Sequence, residues 1–400
     1  MIRELDLGRE RRVQIQRFKC CRCGKSFVLR KKRRRRYSEA FALEVVRRHV
    51  EGRESYRVIA REVFERTGRS VSPTSLQKMV ESAGERSKSV LEMSKELKPS
   101  WDGFLLLDEK MCSVRGKQQW LYLAVDGTGD IVHCRGVGEL TATNAMSFLE
   151  DLVHELEYPC RGVVTDMDAA LCRAVEVVYP EKPHQYCLKH ALAALEEVIG
   201  YKPLLQRYRW NRALLREQFT RMPGRRGIWV EHTREEFFRH YTDTRALSKT
   251  FHQRKALRDA LHAILFASSE GEAVLLLHRL RRSRQWPTEL RRKAVAFLER
   301  HWRHLVQHHR VHGLPRTTNL VENVNRQLER RFKTIEAFQH VHTALAYVGL
   351  LIAYLRQKPY TDCRGKRRGL NGHSRLHAAG VRLTGSWLNN TLKTIPNSNR

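Results

Sequence analysis

Apolar positions recur at helical spacing over residues 37–85, interrupted twice by glycine. Ser38–Val50 opens on a serine suited to cap a helix and puts Phe41, Val45, Val46 and His49 near one face before Gly52 stops it. Ser55–Arg66 starts on another serine, carries the small Ala60, and ends at Gly68. Ser72–Glu81 has serine at the cap and proline at the first helical position. Three short capped helices in this order predict either a helix-turn-helix unit or an ordinary three-helix bundle. In the first case Thr74, Ser75, Gln77 and Lys78 are the exposed positions that would meet base edges and phosphates.

From residue 101 the pattern changes to short apolar runs. Gly103–Glu109 predicts a buried strand ending in two acids, and Gln119–Asp126 and Asp130–Val137 predict two more, joined by the hairpin signal Gly127-Thr128-Gly129. A helix is expected over 143–157, with Ala145, Phe148, Leu149 and Leu152 inward. Arg161–Asp166 is a fourth strand ending in an acid, Ala169–Val178 a helix, and His184–Cys187 a short fifth strand. Residues 192–312 are almost wholly helical in pattern, and helical periodicity returns over 317–358 before a basic tail from 361. The longest apolar run, Ala344–Leu355, is too short to span a bilayer and reads as a buried helix.

Charge narrows the function classes. The 400 residues contain 75 Lys and Arg against 43 Asp and Glu, a net of +32. Such an excess makes a compact chain self-repelling unless a polyanion accompanies it, and nucleic acid supplies one with counterion release as a driving force. No lipidation signal or secretory leader is evident at the start, and nine scattered cysteines do not suggest a disulfide framework. The expected setting is a reducing, nucleoid-associated prokaryotic cytoplasm, with no membrane partner. The run Arg30–Arg36, which includes Arg33, Arg34 and Arg35, has no acid and is suited to cross a phosphate backbone.

Three antiparallel strands, a helix, then strands joined by helices predict a mixed sheet in an α/β, RNase H-like fold. In it Asp108 on the first strand lies beside Asp166 on the fourth. Phosphodiester cleavage there calls for divalent cations at the attacking and leaving oxygens, held by hard carboxylate ligands. Two aspartates leave the set short of a third acid. Taken alone, Glu322 reads as a solvated residue paired with Arg326 at i+4.

Motifs then add a resemblance. Thr317–Lys333 (TTNLVENVNRQLERRFK) resembles the third-acid segment of the Mutator-like superfamily of DDE transposases, with Thr318 and Asn319 flanking Glu322. Val163–Leu171 resembles the segment around the second acid, with Asp166 rather than Asp168 as ligand, and His184–His190 resembles the Cys-x-x-His signature that follows it. The resemblance covers roughly residues 100–360. It implies Asp108, Asp166 and Glu322 as catalytic ligands of Mg²⁺ or Mn²⁺, Arg326 and Arg330 as DNA contacts, and strand cleavage followed by strand transfer at terminal inverted repeats and target DNA. It also implies a homo-oligomer on DNA and a helical insertion between the second and third acids. Alternatives are a non-catalytic, transposase-derived DNA-binding regulator and an RNase H-type nuclease without strand transfer. Cys187 and His190 read either as soft-metal ligands or as a buried structural pair that marks the core.

Two further features stay open on sequence alone. Phe18–Phe27 looks like one knuckle of a zinc ribbon, with Cys20 and Cys23 as candidate Zn²⁺ ligands, Cys21 between them and no upstream pair. Either Cys21 and a distant residue complete the zinc site, or half of it is missing, which a truncated or misassigned start would explain. Trp210, Trp286 and Trp302, interleaved with arginines, suit either stacking on unpaired bases or anchoring a helical core. The expected layout is a basic, partly ribbon-like segment at 1–36, the helical triplet at 37–85, the first part of the core at 100–191, the insertion at 192–312, the closing helices at 313–360 and the tail at 361–400.

Overall fold

The computed structural model describes residues 17–28, 37–220, 231–335 and 338–393. Strands β1 (Arg17–Lys19) and β2 (Ser26–Val28) form a small antiparallel hairpin. The triplet follows as α1 (Glu39–Val50), α2 (Tyr56–Thr67) and α3 (Pro73–Glu85). Ser38, Ser55 and Ser72 cap them, each accepting from the amide three residues on. Gly68 ends α2 in the left-handed conformation that a β-carbon disfavours. A fourth helix, α4 (Val90–Leu97), lies in a stretch with no sequence expectation; Ser89 and Glu92 close a reciprocal capping box at its start.

The chain then builds a five-stranded mixed sheet. It contains β3 (Phe104–Val114), β4 (Lys117–Asp126), β5 (Ile131–Val137), β6 (Gly162–Thr165) and β7 (His184–Tyr186), in the order β5-β4-β3-β6-β7. The first three strands are antiparallel neighbours, and β6 and β7 run parallel to β3. Helix α5 (Ala142–Glu150) links β5 to β6, and α6 (Ala169–Val178) links β6 to β7. Two boundaries differ from expectation. Strand β3 runs on to Val114 rather than stopping at Glu109, because β4 pairs with it as far as Val114↔Lys117. The helix expected over 143–157 widens into a π turn at Asp151–Glu155, where Asp151 turns back to accept from His133 and Arg135 of β5.

Period-two alternation divides the sheet residues between two cores. Leu105, Leu107, Tyr122 and Val132 pack with Phe148, Leu149, Leu171 and Val175 of α5 and α6. Leu106, Leu121, Leu123 and Val164 face the other way. The helices behind that face come late in the chain: after α7 (Leu188–Val198), α8 (Tyr201–Thr220), α9 (Glu231–Leu265), α10 (Glu270–Arg282), α11 (Thr288–Leu305) and α12 (Gln307–Arg310) come α13 (Asn319–Ile335) and α14 (Val341–Gln357). Val321, Val324 and Leu328 of α13 and Leu350 and Leu351 of α14 join that core, and so do Phe41, Val45, Ile59, Leu76 and Val80 of the triplet. The triplet and the sheet therefore share one hydrophobic interior rather than forming separately packed units. Helix α3 crosses α14 so closely that a β-carbon on Gly84 would stand 2.7 Å from the carbonyl oxygen of Ala346. The second link between layers is ionic: Arg356 of α14 donates to both oxygens of Asp130 at 2.9 and 2.7 Å, and both side chains are fully buried.

Helices α7 to α11 enclose a separate core of Leu192, Leu195, Leu257, Leu261, Leu277 and Leu298, joined to the edge strand β7 through Tyr186. The described residues between β7 and α13 are thus almost wholly helical. No helix among the described residues is long and apolar enough to cross a membrane.

Candidate metal centre

Pairing between β3 and β6 covers only Phe104–Leu106. Past that point β6 ends, and Asp166 stands just beyond its tip beside the continuing edge of β3. Asp166 Oδ1 accepts the amide of Asp168 at 2.9 Å. Asp168 itself caps α6, accepting from the amides of Ala170 and Leu171 at 2.9 Å. That division of labour leaves Asp166, not Asp168, turned toward β3.

Ligand atoms of Asp108, Glu109 and Asp166 lie within 4.8 Å of one another. Three acids this close repel, and their protonation reflects it. Burial, followed by the charge of Asp166, pushes the Asp108 carboxyl up to about 6. Burial and then the charges of Asp166, Asp108 and Asp168 push Glu109 up to about 8. Burial also raises Asp166 above the ordinary carboxylate range. Asp108 is fixed by two donors, the Glu109 amide at 3.0 Å and Asn325 Nδ2 at 2.8 Å. Asn325 is 8% exposed and stands on α13, at i+3 from Glu322 and so on the same helix face.

Glu322 is not among the three acids that meet at 4.8 Å. It groups instead with Cys187 and His190, again within 4.8 Å. Its Oε1 accepts from the Thr318 hydroxyl at 3.1 Å, and its Oε2 lies 3.7 Å from Lys189 Nζ. Lys189 also donates to Asn319. Buried Thr318 offers both its amide, at 3.4 Å, and its hydroxyl, at 3.3 Å, to Cys187 Sγ. Burial alone would raise the Cys187 thiol, but hydrogen bonds from His190 and Thr318 outweigh it and hold the group below its ordinary value. His190 is pushed up to about 9, first by its hydrogen bond to Cys187 and then by the charges of Cys187, Asp166 and Asp108. Cys187 and His190 thus form a hydrogen-bonded pair at the start of α7, and the charges of Asp166 and Asp108 reach the same imidazole. The Thr318 amide donates to Cys187 Sγ, while its hydroxyl, with one hydrogen, is shared between that sulfur and Glu322 Oε1.

The remaining candidate residues are spread over the surface. Thr74 and Lys78 are exposed on α3, whereas Gln77 is half-buried and donates to Glu81 at 2.8 Å. Arg326 and Arg330 are exposed on α13. Trp286 and Trp302 pack against the helical core, so the anchoring reading holds for both; Trp210 is 64% exposed. Arg33, Arg34 and Arg35 lie outside the described residues. In the β1–β2 hairpin, Gly24 donates its amide to the Cys20 carbonyl and Cys20 donates to that of Lys25, both at 2.9 Å. Backbone amides of Cys23 and Arg22 hold the Cys20 thiol below its usual value. Among the described residues no third ligand approaches Cys20 and Cys23 closely enough to form a metal-binding group.

Two members of the site were invisible to sequence reasoning. Glu109 stands in the sequence only as the second of two acids ending the first strand, and strand alternation turns it to the face opposite Asp108. Asn325 was one more polar residue on a charged helix. Compared with known proteins, the chain matches no family model and no curated sequence.

Proposed function

We propose that this chain is a DNA transposase with an RNase H-like core, cutting and rejoining strands at a carboxylate-held divalent metal centre. The observation that carries the reading is the meeting of Asp108 and Asp166 at the end of a parallel strand pair, against the helix that carries Glu322. Three antiparallel strands followed by two parallel ones is also the order that an RNase H-like fold calls for. The donor set suits a hard cation: clustered carboxylates with raised affinity for positive charge, among them a buried Glu109 oxygen without a hydrogen-bond partner.

Mg²⁺ or Mn²⁺ bound there supplies Lewis acidity at the attacking and leaving oxygens of a phosphodiester. The chain's own contribution is positioning. Asn325 and the Glu109 amide orient Asp108, the Asp168 amide orients Asp166, and Thr318 with Lys189 holds Glu322 one helical turn from Asn325. The excess of cations, with Thr74 and Lys78 exposed on α3 and Arg326 and Arg330 exposed on α13, the helix that also carries Asn325, suits phosphate contacts.

The test is cleavage of terminal inverted-repeat DNA in Mg²⁺. Asp108→Asn should abolish strand cleavage while leaving DNA affinity within about twofold, since it changes a side chain that faces acids rather than phosphates. A variant that still cuts at the wild-type rate refutes the assignment. The seating of Glu322 against Cys187 and His190, apart from the two aspartates, favours a second reading, a transposase-derived DNA binder without activity. A wild-type protein that binds the repeats but never cuts them selects that reading.

A further inference from the structure

Two oxygens at the acid cluster are left over once every contact is assigned. Glu109 Oε2 is buried with no hydrogen-bond partner. Asn325, 8% exposed, spends its amide nitrogen on Asp108 at 2.8 Å, and its Oδ1 also has no donor. An unpaired buried acceptor costs the fold roughly 1–3 kcal/mol, and more when it is charged. The next residue along β3, Lys110, offers Glu109 no relief: it pairs with Glu329 of α13 at 3.1 Å. His190, which lies nearby, is engaged with Cys187.

The sheet explains why two consecutive residues of one strand can reach the same point. Asp108 and Glu109 leave β3 on opposite faces, but β6 has already ended, so Asp166 sits past the carboxyl end of that inner strand, where side chains from both faces of β3 can approach it. Oxygens that share one Mg²⁺ at roughly 2.1 Å stand at most about 4.2 Å apart. Neighbouring octahedral positions are about 3.0 Å apart, so a cluster whose ligand atoms lie within 4.8 Å of one another closes on one ion with side-chain adjustments of up to about 1–2 Å.

We propose that Glu109 is a direct ligand of the divalent cation, binding it together with Asp108 and Asp166 in the DNA-free protein, and that Glu322 is not needed for this first binding. Asn325 serves as the positioning residue that keeps Asp108 turned toward Glu109 and Asp166. The inference rests on the metal-centre part of the reading above and deepens it.

The test is Mn²⁺ binding to the full chain without DNA, with free ion counted by electron paramagnetic resonance. Asp108→Asn and Glu109→Gln should each weaken binding about tenfold or more, since even residues that merely support metal ligands cost 10–100-fold. Glu322→Gln should leave affinity within about twofold. Glu109→Asp keeps the charge but shortens the reach and should give an intermediate loss; it also serves as the test if the Gln variant fails to fold, as judged by circular dichroism. Wild-type affinity in both Glu109 variants, with binding lost in Asp108→Asn, overturns the proposal and leaves the metal centre standing. A tenfold loss in Glu322→Gln overturns the order of binding. Unchanged Mn²⁺ affinity in Asp108→Asn removes the metal centre itself.

Discussion

Removing a negative charge from the acid cluster should stabilise the metal-free protein, and Asp108→Asn is the cleanest way to do so. The carboxyl titrates near 6 in the fold against an ordinary value of 3.8. Because the folded value is the higher one, the penalty is absent below about 4, grows as pH rises, and is complete above about 6. The difference of about 2 corresponds to roughly 3 kcal/mol at pH 8. Asparagine is nearly isosteric but has only one acceptor oxygen. Of the two donors now on Asp108, the Glu109 amide and Asn325 Nδ2, one would face an amide nitrogen instead. That lost hydrogen bond costs about 1 kcal/mol. The net expectation is a gain of about 2 kcal/mol at pH 8. At roughly 2.1 cal/mol/K of unfolding entropy per residue over 400 residues, this is a rise in Tm of about 2 °C. Thermal melts in EDTA at pH 8 and pH 4 read it directly: the variant should melt higher at pH 8 and slightly lower at pH 4. Added Mn²⁺ should raise the wild-type Tm and leave the variant unmoved, since only the wild type gains a ligand on folding. A wild type that is the more stable of the two at pH 8 in EDTA would show that no charge strain is stored in the cluster.

Other perturbations test separate parts of the structure. Glu109, raised to about 8, should make metal-free stability fall between about pH 5 and pH 9, and Glu109→Gln should flatten that slope; a wild-type profile that is already flat in EDTA contradicts the clustering. Arg356→Met leaves Asp130 buried without its guanidinium and should cost about 3–5 kcal/mol in urea denaturation, most of it recovered in the double variant with Asp130→Leu. A Gly84→Val side chain would collide with the backbone of Ala346 and should cost about 2 kcal/mol by the same measurement; wild-type stability would mean that α3 and α14 separate without penalty.

Much of the framework was legible because it depends on local rules. The three serine caps, the glycine stop of α2 and the apolar run of β4 each carry their signal within a few residues, and the structure has the elements where those signals place them. Asp166 was legible as an acid closing an apolar strand, and Asp108 as an acid closing an apolar run, although its strand continues to Val114. Glu109 was not, because its part depends on where a different strand, β6, stops pairing. Asn325 depends on how α13 is laid against β3, more than two hundred residues away in the chain. The spacing of Cys187 and His190 allowed a metal or a structural pair, but not the meeting of both with Glu322 and Thr318 from α13 and its start. Nor could periodicity show that the triplet would be fused to the sheet, since an amphipathic helix records that it has a buried face but not what lies against it.

That fusion has a geometric consequence. An independent DNA-reading module on a tether would sample many distances from the acids, whereas α3 is held by Leu76, Val80 and the close crossing at Gly84 to the same interior that supports β3. A duplex gripped at Thr74 and Lys78 would therefore sit at a set offset from Asp108. Lengthening the loop before α3 could not alter that offset, but loosening the α3–α14 crossing would blur it.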